Sequence, residues 1–331
     1  MAQGETYPGS PIRPYVIEHV TIPSSFVGIN QVRAKSDLVT LVHMPYLPLR
    51  KLPPRPSQAL SSAWLERLAD RLAGCTGDVA AERSVVCRET LAELAYPAYA
   101  ANWETAIADE SVPLGTRLAL TALDPRNVTL EPEFYSDCDD ARFQPVKPLL
   151  WLWYSFDRLP IGGQNVELGV QLRRLLAPYI FKRCGSNFKA FQHVEFTFGY
   201  NLEVGDDVVV HRHVLLDDRG GIRLGNKVSI SDYANIYSHT HSIVEQADVT
   251  NALTVLDDGV RVTYHATVLA GVHVNEQGMV GAVAVATKDV RPYHVYVGIP
   301  AKSVRVKPNA PEPATILRTA EGRVARPMPE L

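Results

Sequence analysis

Apolar side chains recur every six positions through much of the second half of the chain. Val204, Val210 and Leu216, then Leu224, Ile230 and Ile236, keep that step, and a second block repeats it at Val262, Val268, Val274 and Val280. Four positions after an anchor there is usually a small or aliphatic residue: Val208, Val214, Gly220, Val228, Ala234, Ala266, Val272, Gly278 and Ala284. A helix returns to one face every ~3.6 residues and a strand every ~2, so a step of six suits neither. It suits a chain that makes three short strands per turn, each sending one side chain inward, and this predicts a parallel β-helix over 188–307. Two steps break the period. Leu216 to Leu224 is eight positions, which puts two extra residues at the Arg219-Gly-Gly221 corner. Ile236 to Val262 is 26, longer than one turn of about 18 residues. A loop is therefore extruded near residues 242–253, and such interruptions usually serve a site or an assembly contact.

Before Gly185 the period is different. Leu60, Trp64, Leu68 and Leu72 stand four apart, predicting an amphipathic helix over 57–74 that Gly74 ends. A second helical region spans 84–109 and breaks near Pro97. Residues 111–147 are mixed and punctuated by proline. Two further helical patterns cover 148–158 and 165–184, separated by Pro160-Ile-Gly-Gly163. Residues 1–60 alternate short apolar runs with Pro and Gly, which predicts short strands and loops. The expected organisation is an N-terminal α+β extension at 1–140 and a helical lead-in at 141–187. The β-helix follows at 188–307, with a tail at 308–331. The extension is expected to pack on the β-helix, since no Gly/Ser-rich linker separates the two.

Composition excludes several classes. Lys and Arg number 33 against 36 Asp and Glu, a net charge of −3, which argues against a nucleic-acid-binding protein. The cysteines, Cys75, Cys87, Cys138 and Cys184, form no close pair, so neither a disulfide scaffold nor a structural zinc site is expected. Residues 1–10 lack a secretory pattern, and the most apolar run, Leu149 to Tyr154, is far short of the ~20 residues that cross a bilayer. The expectation is a soluble cytoplasmic protein without a membrane span.

Several short motifs follow one another in a fixed order: Arg183-Cys-Gly-Ser186, Phe198-Gly-Tyr-Asn-Leu-Glu-Val-Gly205, Leu215-Leu-Asp-Asp218, Ile236-Tyr-Ser-His-Thr-His-Ser242, Ala270-Gly-Val272, Thr287-Lys-Asp-Val290 and Val297-Gly-Ile-Pro-Ala-Lys302. In this order and spacing the region resembles the left-handed β-helix, hexapeptide-repeat acyltransferases, most closely the maltose and galactoside O-acetyltransferase branch. The resemblance implies transfer of an acetyl group from acetyl-CoA to a hydroxyl of a small-molecule or glycan acceptor, by a homotrimer with sites between subunits. No metal is expected.

That chemistry needs a proton acceptor, because an alcohol is a poor nucleophile near neutral pH, and a neutral imidazole can serve. The resemblance assigns this role to His241 and puts His239 in a supporting place. It places His211, His213 and Asp218 near the acceptor, with His211 standing where relatives tend to carry Asn. For the donor it points to Gly281 and Ala282, small residues beside the pantetheine arm, and to Thr287, Lys288, Lys302 and Arg305 near the CoA phosphates. Arg261 stands near the position where relatives often have a Trp. The paired histidines also suggest a trimeric β-helix zinc enzyme of the carbonic anhydrase type, and a non-catalytic scaffold is a third alternative. Trp151-Leu-Trp153-Tyr154 is expected to be core or interface, or else to touch the acceptor.

Overall fold

A computed structural model describes residues 53–311. Among the described residues seven α-helices precede the strands: α1 (Gln58–Ala73), α2 (Val79–Ala95), α3 (Trp103–Ala108), α4 (Leu114–Thr121), α5 (Asp140–Phe143), α6 (Lys147–Arg158) and α7 (Val166–Ile180). Side-chain caps fix several starts. Asp78 accepts from the Ala81 N–H at 3.1 Å, and Asp139 accepts from the Arg142 N–H at 3.2 Å. Gly74 does end α1, but at φ −75°, so its left-handed freedom is not what stops the helix. The four-residue stripe of α1 is buried only at its C-terminal half: Leu68 and Leu72 are in the core, whereas Leu60 is 74% exposed.

The strands then wind as a left-handed parallel β-helix. Its turns are β1 (Arg183–Cys184), β2 (Lys189–Ala190) and β3 (Glu195–Phe196); β4 (Leu202–Val204), β5 (Val209–Val210) and β6 (Leu215–Asp217); β7 (Ile222–Leu224), β8 (Ser229–Ile230) and β9 (Asn235–Tyr237). A hairpin of β10 (His239–His241) and β11 (Val249–Asn251) interrupts them. The coil resumes with β12 (Thr254–Leu256), β13 (Arg261–Val262) and β14 (Thr267–Val268), then β15 (His273–Val274), β16 (Met279–Val280) and β17 (Val285–Ala286). It closes with β18 (His294–Val297) and an antiparallel return, β19 (Lys302–Val306). Every third strand stacks, giving three flat sheets. The anchors read from the six-residue period form the inward columns. Val210, Ile230, Val262 and Val280 line one sheet, and Leu216, Ile236 and Val268 another, all fully or almost fully buried.

The early turns are longer than the late ones. Cys184 pairs with Val204 and Val204 with Leu224, a step of 20, whereas Leu256 to Val274 is 18. The extra residues lie at the corner between β6 and β7, as expected, and also between β3 and β4. Ile236 pairs with Val268, so the excursion that contains the hairpin is absorbed within that one turn.

The described part of the extension contains helices joined by turns and no strand. The strands expected for its first residues fall mostly on 1–52, outside the described residues, as does the tail beyond 311. A single buried cluster runs from Leu68 and Cys87 through Phe143 and Trp153 to Val290, with no break near residue 140. The helices also serve the backbone of the first turn, whose strands have no preceding turn to bond. The Trp153 indole N–H donates to the Val194 carbonyl (3.0 Å), and the Arg174 guanidinium to that of Phe188 (2.9 Å). Tyr154 bonds both the N–H and the carbonyl of Phe196 through its hydroxyl, at 3.1 Å each. Arg173 donates to the Ala190 carbonyl at 3.2 Å and forms a buried ion pair with Asp157, which accepts from the His193 N–H at 2.7 Å. An open strand edge is a template for unwanted pairing, and here α6 and α7 cover it.

Candidate active site

The hairpin leaves the coil just after β9, and two clamps hold its base. The buried Ser238 hydroxyl donates to the Asp217 carbonyl (2.6 Å) and accepts from the Gly220 N–H (2.8 Å). The Thr254 hydroxyl donates to the Tyr237 carbonyl at 2.7 Å. Gly220 is required here: a Cβ at that position would lie 2.2 Å from the Ser238 carbonyl oxygen and 2.5 Å from the Ala252 nitrogen.

On this base β10 and β11 pair antiparallel, His239 opposite Asn251 and His241 opposite Val249. The two imidazoles stand edge to face, centroids 5.2 Å apart. Their surroundings differ. The His239 side chain is 18% exposed and its Nδ1–H points at the Asp217 carboxylate, which is nearly buried and also accepts from the Thr197 hydroxyl at 2.7 Å. His241 is exposed, and its Nδ1–H donates to the Gln246 carbonyl at 2.7 Å, within the hairpin. In each ring Nδ1 is thus engaged and Nε2 makes no hydrogen bond among the described residues.

A cleft of about 420 Å³ opens beside His239, between the helices and the sheet of β3, β6 and β9. Trp151, Tyr154 and Arg158 of α6 form one wall, with Pro132 and Tyr135 from the segment before α5. Glu195, Leu215, Asp217 and Tyr237 form the other. Trp151 is half-buried, its N–H fixed to the Ala122 carbonyl at 3.1 Å, whereas Trp153 is core. The run at 151–154 therefore contributes both to the core and to the wall of the cleft.

Asp137, from the extension, ties the pieces together. It takes both ends of the Arg219 guanidinium at 3.0 and 2.9 Å, and its Oδ2 also accepts from the Asn251 amide at 3.0 Å. These partners hold the Asp137 carboxyl below the usual range against the opposing effect of burial. Arg219 lies over the Tyr135 ring, 4.4 Å from its centroid. Nothing in the sequence pairs residues 137, 219 and 251. Asp217, by contrast, could have been found: it follows the inward anchor Leu216 and lies in register with Tyr237, two residues before His239.

The other expected site residues are dispersed. Asp218 is fully buried and its oxygens accept from the backbone N–H groups of Phe198 (2.7 Å) and Asn201 (3.0 Å), so it supports the corner and is closed to an acceptor. Burial pushes its carboxyl up to about 6, against those backbone bonds. His211 is half-buried and stacks on Phe191 at 5.0 Å; desolvation lowers its pKa. His213, at φ 55°, belongs to a corner ladder with His193, Tyr233 and His265, rings 4.7–4.8 Å apart. Neither lines the cleft. Among the described residues no group of three or more His, Cys, Asp or Glu is placed to hold a metal.

At the far end, Gly281 has its smallness taken up by the fold: a Cβ there would meet Val297 at 2.6 Å. Ala282, Thr287 and Lys288 are exposed beside β17, and Lys302 and Arg305 are exposed on β19. Lys307 is half-buried near Arg261, and desolvation together with that second cation lowers its ammonium pKa to about 8.

No family profile matches this chain. It is 29% identical over 114 residues to a Schizosaccharomyces pombe protein named as an acetyltransferase, a match covering 33% of this chain and 55% of that one. It is 22% identical over 140 residues to the galactoside O-acetyltransferase of Escherichia coli, covering 41% and 69%. A Staphylococcus aureus protein also named as an acetyltransferase is 28% identical over 141 residues, covering 40% and 69%. The chain thus spans about half the length of the first of these relatives. Among solved structures, a maltose O-acetyltransferase from Clostridium difficile superposes with a TM-score of 0.46 at 20% identity, covering 53% of this chain and 91% of that one. A galactoside acetyltransferase in complex with coenzyme A gives 0.45 at 19%, covering 52% and 85%.

Proposed function

We propose that this protein, whose curated relatives are acetyltransferases, is an acetyl-CoA-dependent O-acetyltransferase acting on a hydroxyl of a sugar or glycan-like acceptor. The observation that carries this reading is the hairpin itself. A regular β-helix is interrupted once between β9 and β12, and the interruption presents two imidazoles whose Nε2 atoms make no hydrogen bond among the described residues, one of them, His239, on the wall of a cleft. An imidazole of β10 takes the acceptor proton as the hydroxyl oxygen attacks the thioester carbonyl, and returns it to the departing CoA sulfur. No covalent enzyme intermediate is needed. Lys302, Arg305 and Lys288 suit the CoA phosphates as exposed cations. Gly281 is packed against β18 and is not open to the pantetheine arm, whereas Ala282 remains free to meet it.

The assembly is proposed to be a homotrimer. Ile243 and Val244 at the hairpin tip are 103% and 90% exposed, apolar surface that a neighbouring copy would cover. No described helix is long and apolar enough to cross a membrane, which suits a cytoplasmic place of work. Calorimetric titration with CoA tests the donor assignment. Binding is expected without added metal, and weakening by about tenfold in Lys302→Ala combined with Arg305→Ala. Absence of CoA binding by the intact protein, with zinc present at one equivalent, would favour the anhydrase-type reading instead.

A further inference from the structure

We infer that the helical extension positions the hairpin for catalysis, and that Asp137 does so by fixing Asn251 and with it the ribbon that carries the imidazoles. This role rests on the acetyltransferase reading and is the same whichever imidazole of β10 takes the acceptor proton. A two-stranded ribbon is marginally stable in water without further support. β10 and β11 form such a ribbon, and among the described residues they pair with no other strand. The clamps at Ser238 and Thr254 act on the residues that flank it. Within the two strands, among the described residues, two side chains bond to the body of the protein. On β10, His239 meets Asp217; on β11, Asn251 donates to Asp137 at 3.0 Å. His239 and Asn251 are directly opposite in the ladder, so the ribbon is held from both sides at one level, next to its base. His241 lies two positions further out on the same face of β10, opposite Val249. It bonds only within the hairpin. Its place is therefore set by the direction in which the ribbon leaves the coil, and a tilt about the base moves His241 further than His239.

Of the two ties, one comes from the β-helix itself and the other from the extension, 114 positions earlier in the chain. The second is firmly mounted. Asp137 takes the Arg219 guanidinium at both ends, Oδ2 on Nε at 3.0 Å and Oδ1 on Nη2 at 2.9 Å. The Arg219 side chain is only 7% exposed and lies over the Tyr135 ring, so the fork cannot swing. A two-point contact of this kind fixes a carboxylate in plane and direction. The same Oδ2 then accepts from the Asn251 amide, which aims β11. Arg219 belongs to the corner after β6 and Tyr135 to the segment before α5, so docking of the extension and setting of the ribbon are one event. Asp137 is a positioning residue: its oxygens are committed to three hydrogen bonds and it exchanges no proton.

Thiol release from acetyl-CoA, with water and with methyl β-galactoside as acceptors, tests this beside CoA titration and thermal melts. Asn251 is exposed, so Asn251→Ala leaves the core untouched; it removes the tie and keeps the pair of Asp137 with Arg219. It should lower kcat about tenfold, less than the ~10²-fold that a 1 Å misplacement can cost. Acetyl-CoA affinity and melting temperature should stay as in wild type. Asn251→Asp sets a second carboxylate against Asp137 and should cost about 10²-fold. Adding Asp137→Asn to it exchanges the two groups, so an amide N–H again meets a carboxylate and Arg219 keeps an acid within reach. That double variant should recover to within about fivefold of wild type. A contact that serves stability alone would regain its melt in the exchange without regaining kcat. Wild-type kcat in Asn251→Ala overturns the role, as does an exchanged pair that melts normally and stays as slow as Asn251→Asp; both outcomes leave the acetyltransferase reading intact. A wild-type protein that neither binds CoA nor releases thiol overturns both.

Discussion

The chain contains two His-x-His pairs, and they have opposite fates. His211 and His213 sit on a regular turn, and each imidazole is taken up by stacking on a neighbouring turn, His211 on Phe191 and His213 between His193 and Tyr233. His239 and His241 sit where the chain leaves the coil, on a strand with no turn above it. Their rings meet only each other, a carboxylate and a backbone carbonyl. The motif is the same in both; the position in the period decides whether a histidine is part of the stack or free for chemistry. A ring inside a ladder has aromatic neighbours on its faces and little room for a substrate.

Three changes would break or sharpen that contrast. The largest effect is expected at His213. At φ 55° a β-branched residue is strained, so His213→Val should cost about 1–3 kcal/mol in urea unfolding, whereas His213→Gly should cost less. Acetyl transfer per folded molecule should stay unchanged in both. Next is Asp137→Ala, which frees Asn251 and hence the strand opposite His239. Its ion pair with Arg219 is largely shielded, the Arg219 side chain being 7% exposed, so the stability loss should be about 1–2 kcal/mol. Transfer should nevertheless fall about tenfold, and amide exchange across β10 and β11 should quicken. The smallest effect concerns pH. Burial holds the pKa of His211 below its ordinary 6.5, opposed by Asp232 and assisted by Arg212. The unfolded chain then binds the extra proton first, so stability is full above pH 6.5 and declines as the pH falls below it. His211→Phe, which keeps the stack on Phe191, should flatten that decline in unfolding midpoints measured between pH 7 and 5.

The β-helix was legible because one side chain in six must point inward whatever the corners do, and Val210, Ile230 and Val262 obey that rule without exception. The corner at Arg219-Gly-Gly221 and the extruded loop could be read as departures from the same rule. Its twin at Phe198–Asn201 shows that the departure repeats, and the two corners bond through the Asp218 carboxylate. That bond is why Asp218, which the motif suggested for the acceptor, is unavailable to one. The helices at 148–158 and 165–184 were visible from their apolar spacing, with ends misplaced by a few residues. Their role was not visible. Trp153, Tyr154, Arg173 and Asp157 reach backbone groups far along the chain, and no local pattern records a contact of that kind. The clamp made by Asp137 was hidden for the same reason.

The helices that cover β1 to β3 have a consequence for how such a molecule can change over evolutionary time. A solenoid with free ends can be lengthened or shortened at either end, one turn at a time. Here the first turn is matched atom by atom to side chains of α6 and α7, and the last parallel strand, β18, is already paired with the returning β19. The early turns are committed as well, through the Asp218 corner and the hairpin clamp. An added turn is therefore best accommodated in the stretch from β12 to β17, where the step is 18 residues and strands follow one another without excursion. Length in this protein is adjustable from the middle.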